Sequence, residues 1–154
     1  MPPTLDVALR LGSAMVIGAA IGLNRDLRGK PTGVRTLGLV GLGAALVILA
    51  STDFLVVLPT ADANPVSRAI QGVLTGIGFL GAGVIVREGG GRKVQGLTTA
   101  ALIWLTACMG IVCGLGAWIP ALIAFCMVFL LLLGGGALER WMHRRWEGKQ
   151  SPSD

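Results

Sequence analysis

The sequence has no tyrosine, a single histidine and only three cysteines. Charge is scarce as well. Asp, Glu, Lys and Arg make up 14% of the chain, against about 25% in soluble domains. Residues 94–138 hold none of these four types. One membrane crossing needs about 20 apolar residues, so this run accommodates two. Gly114-Leu115-Gly116-Ala117-Trp118-Ile119-Pro120 is the natural turn between them. A soluble domain has no use for such a run, and little of the 154-residue chain remains for a soluble catalytic unit.

The missing residue types also narrow the chemistry. No Ser/His/Asp constellation, no paired carboxylates and no metal-ligand spacing occur. Cys108, Cys113 and Cys126 fit neither a zinc site nor a redox pair, and read as small core hydrophobes. His143 falls in a basic tail. The chain therefore reads as a non-enzyme without a cofactor. Whether it takes a metal is open. Net charge is +5. In a bilayer protein this reads as topogenic charge in loops rather than affinity for nucleic acid.

Hydrophobic residues supply 53% of the chain, glycine is abundant at 24 residues, and mean hydropathy is +0.75. The pattern predicts an all-α polytopic membrane protein with five transmembrane helices. The spans run from Leu5 to Leu23, from Leu37 to about Ala50, over Pro65–Val86, from Leu97 to about Gly114, and over about Ile119–Gly136. Residues 5–138 form the membrane domain, and 139–154 a short basic tail. Asp6 and Arg10 stand one turn apart and can pair. Eleven of the 13 cations lie in the 24–35 loop, the 87–93 loop and the tail; Arg10 and Arg68 are the other two. The positive-inside rule then places the N-terminus outside and the C-terminus in the cytoplasm.

Three groups of residues stand out. Asn24, Arg25, Asp26 and Arg35 meet Thr98 and Thr99 at the cytoplasmic end of the five-span arrangement. They form the candidate functional polar cluster, with Asp26 expected to pair with Arg25 or Arg35. Arg68, Gln71 and Thr75 share one face of the third helix as an intramembrane polar face. Gly76, Gly78, Gly81 and Gly83 lie in the same helix. Gly76–Gly81 spells GxGxxG, but without the strand and acidic residue of a dinucleotide site. These are read as packing glycines, with the third helix at the centre against the first and fourth.

Three blocks carry a resemblance. They are Ile21-Gly22-Leu23-Asn24-Arg25-Asp26 with Gly29–Thr36, then Thr75–Ile85 (TGIGFLGAGVI), then Gln95-Gly96-Leu97-Thr98-Thr99-Ala100-Ala101 with Trp104. In this order, over about residues 10 to 130, the chain resembles the MgtC/SapB family. The resemblance implies a bacterial inner-membrane protein of about five spans, tied to growth under magnesium limitation and survival inside host cells. It also implies a regulatory role toward other membrane machines, ATP synthase among them. Asn24 departs from the Glu that many members carry there. The magnesium-linked members also add a soluble cytoplasmic domain after the fifth span.

Two functions follow. One is regulation through helix contacts with other membrane proteins in magnesium or stress adaptation. The alternative is a small transporter or channel for a cation such as Mg²⁺. The partners expected are the lipid bilayer and membrane proteins, a second copy of the chain included.

Overall fold

A computed structural model describes residues 4–57, 65–87 and 94–147. It contains five helices: α1 (Thr4–Asp26), α2 (Val34–Val57), α3 (Pro65–Gly83), α4 (Leu97–Gly114) and α5 (Trp118–Glu147). Between α3 and α4 the short strands β1 (Val86–Arg87) and β2 (Val94–Gln95) pair antiparallel. Among the described residues, four helices are long and apolar enough to cross a membrane: α1, Val34–Thr52 of α2, α4, and Trp118–Gly135 of α5. This is a membrane protein. α3 falls outside that group, because five glycines with Arg68, Gln71 and Thr75 dilute its apolar residues. The glycine triplet at 89–91 and the acidic loop around Asp62 lie outside the described residues.

The helix ends follow from local chemistry. α1 stops where Gly29 takes a positive φ of 61° and the Lys30 N–H returns to the Arg25 carbonyl, a left-handed exit that favours glycine. α4 ends similarly. Gly116 has φ 74°, and the Ala117 N–H bonds back to Val112 O. The turn expected at Gly114–Pro120 is present, and α5 starts at Trp118. α5 continues without a break through the first part of the expected tail, to Glu147. α3 stops three residues short of its expected end, because Val86 enters β1.

α1, α2 and α4 form the packed centre. Their small residues let backbones approach closely. A Cβ added at Gly18, Gly41 or Gly110 would lie within 2.5 Å of the carbonyl oxygen of Leu37, Ala14 or Gly41 respectively. Ile21, Leu37, Ile48, Met109 and Cys113 fill the remaining space and are fully buried. Thr106 of α4 sits at the three-helix junction, 0% exposed, with its methyl group toward Gly18 and Gly41.

α3 is not the packing centre. It lies at the periphery, with Val66, Ile70, Val73, Leu74 and Ile77 against the Ala44–Ile48 and Ala107–Ile111 cluster. A Cβ at Gly76, Gly78 or Gly83 would meet nothing within 4 Å, and only Gly81 faces a neighbour, Ala100. The reason is rotational. The apolar stripe of α3 faces α2 and α4, and it leaves these three glycines on the open side.

Candidate functional site

Two residues of the expected polar cluster, Arg25 and Thr99, meet at one end of the bundle. Arg25 is in the last turn of α1, and its side chain is only 7% exposed. Nη2 donates to Thr99 Oγ1 at the start of α4, and to Pro31 O in the α1–α2 loop at 3.1 Å. One guanidinium thus ties together α1, the following loop and α4. Thr99 is 4% exposed. Three residues upstream, at the start of α4, Gly96 has a φ of 90° and a contact with the Val84 carbonyl that leaves no room for a side chain. The short hairpin brings Gly96 to that carbonyl.

Asp26 takes a different role from the ion pair expected of it. Its Oδ2 accepts the Val34 N–H at 3.0 Å, at the N-terminus of α2. A helix start presents unpaired N–H groups and a positive dipole end, and a carboxylate suits both. Asp26 therefore caps the next helix in sequence. This contact dictates the glycines around it. A Cβ on Gly33 would overlap the Asp26 carboxylate, and one on Gly22 would come 2.6 Å from the Gly33 backbone. Thr32 adopts a positive φ of 68° to bring the chain through this turn.

The remaining predicted residues divide. Asn24 lies beside the cluster. Its Oδ1 is buried without a hydrogen-bond partner among the described residues, as is Arg25 Nε. Arg35 and Thr98 are exposed, and their side chains form no hydrogen bond or ion pair among the described residues. Of the six expected residues, the structure joins Arg25 to Thr99 and turns Asp26 to the Val34 N–H, while Arg35 and Thr98 stand exposed. Arg68, Gln71 and Thr75 do share one face of α3, and all three point away from the bundle.

At the opposite end a second arginine links helices. Arg10 Nε stands 2.8 Å from Asp6 Oδ2, as the spacing suggests. Its Nη1 also donates to Gly114 O at 2.9 Å, placing a cation at the C-terminus of α4. That contact spans 104 positions, and nothing in the local pattern signals it.

The model of the MgtC family matches residues 11–141. Protein SrpB of Synechococcus elongatus is 42% identical over 93% of this chain and 83% of its own length. An uncharacterized protein of Haemophilus influenzae is 35% identical over 97% of this chain and 64% of its own length. Protein MgtC of Salmonella typhimurium is 47% identical over 75% of this chain, a stretch that makes up 46% of that relative. No solved structure matches.

Proposed function

Because this chain belongs to the MgtC family, we propose that it is a non-enzymatic, regulatory protein of the bacterial inner membrane. It acts through helix contacts with other membrane proteins during magnesium or stress adaptation, the setting that the family resemblance implies. All five helices cross, α3 included, with the N-terminus outside and the C-terminus in the cytoplasm. α3 has 19 residues, about 28 Å of helix, which suits a hydrocarbon core of about 30 Å.

The observation that carries this reading is the filled junction of α1, α2 and α4. Backbone carbonyls press on Gly18, Gly41 and Gly110, and Thr106 closes the space between them. Close packing of this kind supports a scaffold rather than a conduction path through this junction. The Arg25–Thr99 bond then ties α1 to α4, and the separate Asp26–Val34 bond ties α1 to α2, at the cytoplasmic end.

Flux measurements on the purified full chain in liposomes test the regulatory reading. Across a panel of cations including Mg²⁺, permeation should not exceed that of empty liposomes. Sustained protein-dependent flux would overturn it in favour of transport. Topology is tested separately, by labelling single cysteines placed at Asp62 and Gly90. They should react from opposite faces; reaction of both from one face refutes the crossing of α3.

A further inference from the structure

The outward faces of α3 and α5 differ in a way that matters in lipid. α5 exposes Leu122, Ile123, Met127, Leu130 and Leu131, a surface that acyl chains solvate well. α3 exposes Arg68, Gln71 and Thr75 on one face, with Phe79 80% exposed two turns beyond Gln71. The Gln71 and Thr75 side chains form no hydrogen bond with any described residue. Counted from Pro65, Gln71 lies about 9 Å and Thr75 about 15 Å along the helix, which places Thr75 near mid-bilayer. Lipid tails offer neither donor nor acceptor, so polar side chains at this depth face protein. Arg68, in the first turn, can extend its head group to the interface.

We infer that this face of α3 is the interface of a homodimer, in which Gln71 and Thr75 pair with their own copies. The inference rests on the crossing of α3 proposed above. All copies insert in one orientation, so a symmetric pair has its two-fold axis along the membrane normal. Each residue near that axis then meets itself at the same depth. A glutamine amide holds both donors and an acceptor, and a threonine hydroxyl holds both roles. The Gln71 and Thr75 part of the face is therefore complementary to itself, with Arg68 extended away from the axis to the head groups, whereas a foreign helix would have to supply a matching polar group at that depth. The surface also allows close approach. Gly72 and Gly76 border the polar face and meet nothing within 4 Å. They open onto a groove of about 580 Å³ between α3 and α2, floored by Val40, Ala44 and Val73. A neighbouring α3 can settle against these two glycines as a small-xxx-small contact.

The test is single-molecule photobleaching of the end-labelled full chain, reconstituted in phosphatidylethanolamine and phosphatidylglycerol liposomes over a range of protein-to-lipid ratios. The wild type should form dimers. Gln71→Leu keeps the size of the side chain, and should weaken association about 5- to 30-fold, as expected for interhelical hydrogen bonds of roughly 1–2 kcal/mol. Gln71→Asn, which keeps the amide, should retain most of the dimer. Leu130→Ala on α5 should leave it unchanged. A monomeric wild type overturns the interface, including the case where a foreign helix covers this face instead. Wild-type association of Gln71→Leu overturns it too. Both outcomes leave the crossing of α3 standing if Asp62 and Gly90 label from opposite faces. Labelling from one face removes the crossing, and the dimer proposal falls with it.

Discussion

Replacing Thr99 by valine isolates the bond between α1 and α4. The substitution keeps the β-branched shape and removes only the hydroxyl, so the cavity term stays small. What is lost is the acceptor for Arg25 Nη2, inside a site where Arg25 and Thr99 are 7% and 4% exposed. A hydrogen bond to a charged group contributes about 1.5–3 kcal/mol. The lower end applies here, because Nη2 keeps Pro31 O at 3.1 Å. A loss of about 1.5 kcal/mol in a chain of this size lowers the melting temperature by about 3–6 °C. The assay is thermal unfolding of the purified protein in detergent, followed by the loss of the monodisperse fraction. Thr99→Ser restores the hydroxyl and should recover most of the shift. Thr98→Val, one position away and exposed, should do nothing measurable. Equal effects at 98 and 99, or none at either, would refute the role assigned to the Arg25–Thr99 bond.

Three other perturbations follow from the same geometry. Arg25→Ala should destabilise far more than Arg35→Ala in the same thermal assay, since Arg25 is buried between three segments and Arg35 is exposed; parity between them would count against the cluster. Asp26→Ala removes the acceptor for the Val34 N–H and should cost about 0.5–2 kcal/mol, the range for a lost helix cap, measured by the same melting shift. Gly110→Ala should reduce the yield of folded protein sharply, because its Cβ would collide with the Gly41 carbonyl. Gly12→Ala, with nothing within 4 Å, should be neutral or slightly stabilising, as glycine costs roughly 0.5–1 kcal/mol in a helix relative to alanine; equal yields of the two variants would argue against the close approach of α2 and α4.

Periodicity and charge made most of the helices legible. A bilayer penalises charge wherever it falls, so charge-free runs mark spans without reference to neighbours. Turn chemistry is equally local, and the Gly114–Pro120 stretch announced its turn. Part of the site was visible in the same way: Asn24, Arg25, Asp26, Arg35, Thr98 and Thr99 stood out as polar residues at span ends that share one level, and Arg25 and Thr99 among them do meet. The partners they take were not visible. Asp26 could pair with a cation or cap a helix, and only the position of Val34 decides between these. Arg25 and Arg35 have the same charge in the same region, yet the rotation of α1 turns Arg25 toward α4 and that of α2 leaves Arg35 in the open. Gly76 and Gly110 are likewise indistinguishable in composition, since both sit in apolar helices beside other small residues. Which of them meets a carbonyl depends on helix rotation, and rotation is set by how three or four surfaces interlock at once. The sequence alone thus determined the solvent, the helices and the residues available for chemistry, because those depend on short-range patterns and transfer energies. Only the tertiary structure decided that α1, α2 and α4 form the centre and that α3 turns Gln71 and Thr75 outward, because contacts spanning 74 or 104 positions exist only once the chain has closed on itself.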